Sequence, residues 1–321
     1  MKFAELKSSL NKNILNAYYI AGKDAYLRDS AESMIKKRCV NFMPEFNTSQ
    51  FNDENFDIDK VVGACNSVPM GDQFRVVVLN GVVPDKNSVS KLEKYLKNVN
   101  STTCLIIKDA VGFSGYKSII PLCEKIDCDF LDAKMLEPLI VNKLSKANVK
   151  IDSQALKLLI EYCNFDMTFI NLEIKKLSSY SAGQIIDAET INKLVHKNLE
   201  YSVFELGNAV AERNRKKAFE LLNLMLENKE SPQNLLLLLL SNFRRVFYVS
   251  VTKASDKEIA DMLDVKEYSI KIARRLLQNF TPKKLKKLLD LGGKLDFDIK
   301  NGKIDDKNAI YCFVSNALCL N

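Results

Sequence analysis

The sequence is poor in the residues on which many metal sites and enzyme mechanisms depend. Its 321 residues include a single histidine, His196, which excludes most mechanisms that need a histidine base or ligand. The eight cysteines form no CxxC pair, and Cys123 and Cys128 have no second pair or nearby histidine to complete a metal site. We therefore expect mostly buried free thiols and no bound metal.

Long apolar runs are also lacking. The longest, residues 235–240, falls far short of the roughly 18 apolar residues that a membrane span requires, and Arg244 and Arg245 follow it closely. The segment MKFAELKSSLNKN at the amino terminus has no apolar signal core. With 47% hydrophobic and 27% charged residues, the chain has the composition of a globular protein of two or three domains. We expect a cytoplasmic protein without membrane contact.

A phosphate-binding loop is the third absence. The segment Ala17–Ala21 predicts a strand, and a helix is predicted to begin after Asp24, as in many nucleotide-binding folds. The pattern GxxxxGK[ST] is missing, because Lys23 is followed by Asp24, whose charge would repel a phosphate. Asn80, after the predicted strand 75–79, is neutral where a P-loop ATPase needs a metal-binding acid. An ATP-hydrolysing enzyme is therefore an alternative that the sequence disfavours.

The first 130 residues alternate between predicted strands and helices. Residues 75–79 and 103–107 are continuous apolar runs, typical of parallel strands that are buried on both faces. We expect a helix over 85–97, another over 116–125, and a short last strand at 128–130. This alternation predicts an α/β domain with a mostly parallel sheet.

Beyond residue 132 the predicted elements are all helices. Asp152, Asp166 and Asp187 precede apolar helical stripes and are predicted N-caps. Pro138 is expected in the first turn of a helix that ends near residue 147. A long helix is predicted to open at Ser231-Pro232. Its leucine run makes it apolar on every side, which predicts the buried central helix of the last domain.

Most of the net charge of +7 lies near the carboxyl terminus, where residues 241–321 hold 16 Lys or Arg and 10 Asp or Glu. Nucleic acid is the first candidate partner for such an excess, although solvated helix faces explain it equally well. Ser255-x-x-Glu258 is a capping box that opens a helix, and a second helix over 267–278 follows a turn. This pair could be read as a DNA-binding helix-turn-helix, but ordinary helix pairs look the same.

One segment combines a short amphipathic helix, a turn and a buried strand. The helix has Asp57 as its predicted N-cap, and the turn lies at Gly71-Asp72. Between them stand three apolar residues, Val68, Pro69 and Met70. Periodicity leaves two alternatives open: these residues are exposed at the tip of the helix, or they fold back into the core.

The whole chain resembles the delta subunit of the clamp loader of bacterial DNA polymerase III. The resemblance rests on seven pieces in order: YYIAGKDAYL, FNTSQF, SVPMGDQFRVVVLNG, INLEIKKLSSYS, VFELGNAV, SNFRRVF and LDFDIKNG. It implies a degenerate AAA+-like α/β domain over 1–133, an all-α lid domain over 134–200 and an all-α collar domain over 201–321. It also implies that the protein is a subunit of a nucleotidyltransferase holoenzyme. The subunit itself is implied to have no catalytic residues, bound ATP or cofactor.

The same resemblance implies that the protein binds and opens the ring-shaped sliding clamp so that the clamp is loaded onto primed DNA. Sister ATPase subunits and delta-prime are the implied partners. The family's pair of apolar clamp-binding residues falls on Pro69 and Met70, with Val68 as the alternative companion of Met70. In the last loop, Lys300 and Lys303 are implied to approach DNA phosphate, and Asn301 stands where some members carry a stacking aromatic residue.

Overall fold

The computed structural model describes residues 1–110, 112–181 and 184–319, and these divide into two compact units. The first unit comprises Met1–Lys143 and Phe165–Lys176, and the second comprises Leu144–Asn164 and Leu177–Asn321. The predicted α/β region followed by helices is confirmed. The division into three domains at residues 133 and 200 stays a prediction, and residues 111, 182, 183, 320 and 321, which it includes, lie outside the described part.

The first unit is built on a five-stranded parallel sheet in the order β2-β3-β4-β1-β5. Its strands are β1 (Ala17–Ala21), β2 (Thr48–Phe51), β3 (Arg75–Asn80), β4 (Thr103–Asp109) and β5 (Glu124–Asp127). The inner strands β3 and β4 are buried over almost their whole length, which explains their continuous apolar sequences. Because all strands are parallel, the loops after β1 and β4 lie at the carboxyl ends of the strands, and the loop leading into β3 lies at their amino ends.

Five helices accompany this sheet before residue 100. They are α1 (Phe3–Lys12), α2 (Ala25–Cys39), α3 (Pro44–Asn47), α4 (Ile58–Asn66) and α5 (Lys86–Leu96). The spacing of Ile58, Val61, Val62 and Cys65 predicts one apolar stripe, and α4 buries all of these except Val62, which is half-buried. Asp57 caps this helix as predicted, because its carboxylate accepts the backbone N–H of Asp59 at 2.9 Å.

The predictions for the end of the α/β region are wrong. Residues 116–125 form no single helix, because short 3-10 turns at Ser114–Ser118 and Ile120–Leu122 lead directly into β5. The predicted strand at 128–130 is loop, and β2 had no sequence prediction. Both β2 and β5 are edge strands with polar sequences, TSQF and EKID, so they lack the apolar runs that mark buried strands.

The remaining helices run from residue 133 to residue 319. They are α6 (Ala133–Lys146), α7 (Ser153–Tyr162), α8 (Met167–Ser181), α9 (Ala188–Leu194), α10 (Leu199–Ala211), α11 (Arg215–Glu227), α12 (Pro232–Val251), α13 (Asp256–Leu263), α14 (Glu267–Leu277), α15 (Pro282–Lys300) and α16 (Asp306–Cys319). Between them, β6 (Lys150–Ile151) and β7 (Ile185–Ile186) form a two-residue parallel pair. The region is therefore mostly helical rather than purely helical.

The predicted N-caps are confirmed, but the start of α6 is not. Asp152, Asp166 and Asp187 each accept a backbone N–H from the first turn of the following helix, at 2.7 to 2.8 Å. Pro138 lies inside α6 instead of in its first turn. α6 begins earlier because Asp132 accepts the N–H of Met135 at 2.9 Å and supplies the cap.

α12 is the central helix of the carboxyl-terminal core, against which α14, α15 and α16 pack. The predicted central helix is therefore confirmed, although one side of it reaches solvent, since Leu237 is 43% exposed while Leu236 and Leu239 are fully buried. Of the described helices, only α12 is long and apolar enough to cross a membrane by length and composition. Half of its most apolar window is buried in the structure, as in the core helix of a globular domain.

Candidate apolar interaction site

The loop between α4 and β3 exposes its apolar side chains to solvent. Val68 is 81% exposed and Met70 is 54% exposed, while Pro69 is half-buried. α4 ends immediately before them, where the Ser67 hydroxyl donates to the carbonyl of Gly63 at 2.9 Å. Of the two alternatives left by the sequence, folding back into the core is therefore wrong.

A second segment adds three large apolar side chains to this surface. Phe42, Met43 and Phe46 are 53%, 43% and 58% exposed, although residues of this size are usually buried. They lie in the turn before α3 and in α3 itself, which precede the edge strand β2. We call the combined surface the apolar tip; its members are Phe42, Met43, Phe46, Val68, Pro69 and Met70.

Asn47 joins the two segments of the apolar tip. Its side-chain amide is fully buried, accepts the N–H of Met70 at 2.7 Å and donates to the C=O of Met70 at 2.8 Å. The same Nδ2 also donates to the carbonyl of Phe42 at 3.0 Å. The backbone of Met70 is thereby held on both its donor and its acceptor side.

Asp72 makes a second connection between the same segments. Its two carboxylate oxygens accept the backbone N–H groups of Asn41 and Phe42 at 3.0 and 2.9 Å. Below the tip, the Arg75 guanidinium donates to the carbonyl of Phe46 at 2.8 Å and to Ser49 Oγ at 2.9 Å. The apolar tip therefore rests on hydrogen bonds to the start of β3 and to β2.

The loop after β1, at the carboxyl ends of the strands, is where a P-loop ATPase would bind phosphate. There the Asp24 carboxylate accepts the N–H of Leu27 at 3.0 Å, and Asp129 accepts the N–H of Lys23 at 2.9 Å. Gly22 packs against the chain so closely that a Cβ on it would lie 2.2 Å from the backbone carbon of Cys128. The protein's own carboxylates and backbone occupy the positions that a phosphate needs, which disfavours an ATP site.

The neighbouring strand end holds a buried acid that the sequence analysis did not single out. Asp109, at the end of β4, accepts the Tyr19 hydroxyl at 2.5 Å and the N–H groups of Gly112 and Phe113 at 2.9 and 2.7 Å. Burial, with the hydrogen bond to Asp109, raises the pKa of Tyr19 well above its ordinary value. This arrangement keeps the hydroxyl protonated and gives the carboxylate a structural role in the loop after β4.

The residues predicted to approach DNA lie together at the end of α15. Lys300 is in the last helical turn and pairs with Asp296 at 2.6 Å, so the predicted loop begins only at Asn301. The Asn301 amide donates to the carbonyl of Phe297 at 2.7 Å, and Lys303 Nζ lies 5.9 Å from the Phe297 ring centroid. Both lysines are exposed, but the charge of Lys300 is shared with a carboxylate.

The capping box at Ser255 and Glu258 is confirmed, but the exposed face of α14 is not strongly basic. Lys271 pairs with Glu267 at 2.8 Å, and Arg274 pairs with Asp256 at 2.5 Å. These pairs reduce the free positive charge with which a recognition helix would meet DNA phosphate. The geometry therefore does not favour the helix-turn-helix reading.

Comparison with known proteins shows similarity over almost the whole chain. Residues 18–111 match the family described as DNA polymerase III, delta subunit, and residues 200–317 match the family described as its C-terminal domain. The DNA polymerase III subunit delta of Bacillus subtilis (strain 168) is 24% identical over 340 residues, which cover 100% of this chain and 98% of that protein. Its counterpart from Buchnera aphidicola subsp. Schizaphis graminum (strain Sg) is 23% identical over 267 residues, 75% of each chain.

A solved structure supports the fold in the same way. The Bacillus subtilis DNA clamp loader delta protein is 22% identical and covers 99% of each chain with a TM-score of 0.74. At this identity the likeness establishes the shared architecture of the two chains. It leaves the contacts of the apolar tip to be argued from the residues themselves.

Proposed function

The chain belongs to the DNA polymerase III delta-subunit family of clamp loader proteins, and on that premise we propose that its apolar tip binds and opens the sliding clamp. The observation that carries the proposal is the exposure of Val68 and Met70 at the end of α4. Clustered apolar side chains held outward on a hydrogen-bonded base are typical of a protein-binding surface.

Burial of these side chains would make a substantial contribution to clamp binding. A methionine adapts its shape to an apolar pocket, and the fixed backbone of Pro69 reduces the entropy lost on binding. Burying about 150 to 250 Å² of apolar surface would contribute on the order of 4 to 6 kcal/mol. This range exceeds what most single polar contacts contribute.

Opening of the ring follows from differential affinity. If the clamp surface that contacts the tip differs in shape between the closed and the open ring, binding shifts the equilibrium toward the form that binds better. The protein needs no nucleotide of its own for this shift. In the proposal, sister ATPase subunits and delta-prime assemble with residues 201–321 and regulate access to the tip.

Two further parts of the proposal concern DNA and location. Lys300 and Lys303 are proposed to meet the phosphates of primed DNA in the assembled loader, as salt-sensitive contacts that carry no sequence information. A replication subunit of this kind is proposed to act in the cytoplasm.

The test is binding of the purified chain to the sliding clamp of the same organism. The double variant Val68→Ala/Met70→Ala is expected to weaken binding about 100-fold, a change of about 2.7 kcal/mol. The matched control is Val83→Ala/Met262→Ala, which truncates the same residue types at positions that are 52% and 76% exposed. If the wild-type chain does not bind a clamp shown to be an intact ring, the proposal is wrong.

A further inference from the structure

We propose that clamp binding, as inferred above, uses both segments of the apolar tip. Phe42, Met43 and Phe46 complete the binding surface, and Asn47 is a positioning residue that presents Met70. The inference rests on the proposed function and adds specific residues to it. It is carried by the exposure of the second segment, by the hydrogen bonds that tie it to the first, and by a strained backbone position within it.

The second segment adds two exposed aromatic rings to the aliphatic side chains of the first. Phe42 and Phe46 each leave more than half of their side chain in solvent, although burying an aromatic ring is strongly favourable. Large aromatic side chains are also the residues that contribute most to protein interfaces when they fill a pocket. The two segments adjoin, because the Phe42 ring lies over Gly71 and Asn47 bonds to the backbone of Met70.

The bonding of Asn47 explains why the two segments act together. Its amide supplies one acceptor and one donor to the backbone of Met70, much as a neighbouring strand would. It is also bonded to the carbonyl of Phe42, so a movement of either segment breaks hydrogen bonds to a fully buried group. Breaking such bonds is costly, so the exposed side chains are presented in a fixed relation.

The backbone at Met43 gives independent support. Met43 has φ 43° and ψ 60°, a left-handed conformation that is sparsely populated by residues other than glycine. The bonds from the N–H groups of Asn41 and Phe42 to Asp72 hold the chain just before it. Residues that surrounding bonds hold in such conformations cluster at active sites and ligand-binding segments.

The occupant that fits this surface is an apolar pocket on the clamp. Five apolar side chains of the tip are exposed, and Glu45 is the charged residue within the second segment. Exposed apolar anchors bind most strongly when they fill an apolar pocket, and the hydrogen bonds that join the two segments place both against the same partner. A clamp pocket that accepts Met70 should therefore extend toward Phe46.

The first experiment compares two phenylalanines of similar exposure in clamp binding by the full chain. Phe46→Ala is expected to weaken binding about tenfold. Phe169→Ala, which truncates a ring that is 45% exposed on α8, is expected to leave binding unchanged. If Phe46→Ala and Met43→Ala leave binding intact while Val68→Ala/Met70→Ala weakens it about 100-fold, the inference is overturned and the proposed function stands. If wild type does not bind, the proposed function itself fails.

The second experiment separates positioning by Asn47 from a merely structural role. Asn47→Ala is combined with Met70→Ala in a double-mutant cycle of clamp affinity. Asn47→Ala is expected to weaken the wild type about tenfold and the Met70→Ala variant about twofold or less, because the presented side chain is already missing. Equal weakening in both backgrounds would overturn the positioning role.

A milder variant keeps the test decisive if Asn47→Ala proves unstable. Asp72→Ala removes the other connection, and Asp72 is only half-buried. It is expected to reduce the effect of Phe46→Ala on clamp affinity while leaving the melting temperature close to that of the wild type. An undiminished effect of Phe46→Ala in the Asp72→Ala background would contradict the joint presentation of the two segments.

Discussion

The ring of Phe42 lies directly over Gly71. A Cβ on residue 71 would fall 2.8 Å from Phe42 Cδ1, closer than Cβ atoms approach other carbons in proteins. Gly71 also has φ +75°, a left-handed conformation that glycine adopts readily and other residues do not. The turn from the apolar tip into β3 therefore requires glycine for two separate reasons, one local and one from packing.

Gly71→Ala should lower the free energy of unfolding by about 1 to 2 kcal/mol, since it introduces both left-handed strain and a contact with Phe42. Gly63→Ala is the matched control, because residue 63 lies in α4 and a Cβ there would meet nothing within 4 Å. This control should raise stability by about 0.5 to 1 kcal/mol through helix propensity. Chemical denaturation of both variants measures the difference, and equal effects would contradict the argument.

Two adjacent glycines in α15 give a second comparison of this kind. A Cβ on Gly292 would lie 2.0 Å from Leu240 Cδ2 in the core, whereas a Cβ on Gly293 would meet nothing within 4 Å. Gly292→Ala should therefore destabilise the protein by about 1 to 3 kcal/mol through overpacking. Gly293→Ala should stabilise it by about 0.5 to 1 kcal/mol. Thermal unfolding of both variants tests the order, and a more stable Gly292→Ala variant would mean that Leu240 moves aside freely.

How far the fold follows from sequence depends on how each element is buried. The inner strands β3 and β4 are covered on both faces, so their apolar runs identified them directly. The edge strands β2 and β5 pair on one side only and contain polar residues, so pattern reasoning misplaced or omitted them. The caps at Asp152, Asp166 and Asp187 were predictable because capping is a local interaction between neighbouring residues.

The candidate site was predictable only in part for the same reason. Val68, Pro69 and Met70 stand out in the sequence because three consecutive apolar residues lie between a predicted helix and a predicted turn, where polar residues are usual. Phe46 and Asn47 belong to another stretch, and nothing local shows that this stretch lies beside Met70. The contact arises from the parallel pairing of β2 with β3, which is a tertiary relationship. The motif FNTSQF was visible as a family feature, but its physical role was not.

Thiol reactivity should follow burial. Burial raises the pKa of Cys65 and of Cys128 to about 12, and both side chains are fully inaccessible. Cys319 is the exposed thiol of the described chain. With a chromogenic disulfide reagent at pH 8, we expect one fast phase in the native protein, and Cys319→Ser should remove it. Loss of the fast phase in Cys65→Ser instead would show that the core opens rapidly.

Nucleotide binding should be undetectable at the loop after β1. Asp24 and Asp129 occupy the backbone N–H groups that would receive a phosphate. We therefore expect Mg-ATP at millimolar concentration to leave the melting temperature unchanged. A ligand present at 100 times its Kd would add about 2.7 kcal/mol of stability, which is readily measured. A shift that disappears in Lys23→Ala would restore the ATPase alternative.

Asp24 should contribute to stability through its cap. Its carboxylate accepts the N–H of Leu27 at 3.0 Å at the start of α2. Asp24→Ala is expected to lower the free energy of unfolding by about 1 kcal/mol, a usual value for a lost N-cap. Asp85→Ala, which removes the equivalent cap of α5 at Ser88, is the matched comparison and should behave alike. A much larger loss for Asp24→Ala would indicate that its further contacts in the loop dominate.

The ion pair between Lys108 on β4 and Glu32 on α2 should make stability depend on pH. The two charged groups lie 2.6 Å apart and are nearly buried, and Lys36 also pairs with Glu32 at 2.5 Å. Burial alone would raise the pKa of Glu32, but the hydrogen bonds from Lys108 and Lys36 outweigh it and hold that pKa below its ordinary value of 4.5. The folded state therefore binds this proton less readily than the unfolded state does. Its stabilisation is present above about pH 4.5 and is lost as pH falls through the folded-state pKa.

Two variants test this ion pair by chemical denaturation between pH 3 and pH 7. The stability difference between wild type and Glu32→Gln should be largest at neutral pH and should shrink toward pH 3. Lys108→Met should cost about 3 kcal/mol at pH 7, because it leaves a nearly buried carboxylate with Lys36 as its remaining cation. Lys60→Met removes a lysine that is exposed and 4.0 Å from Asp57, and it should change stability by about 0.5 kcal/mol or less. A pH-independent difference for Glu32→Gln would mean that packing around its stem, rather than its charge, stabilises the contact between α2 and β4.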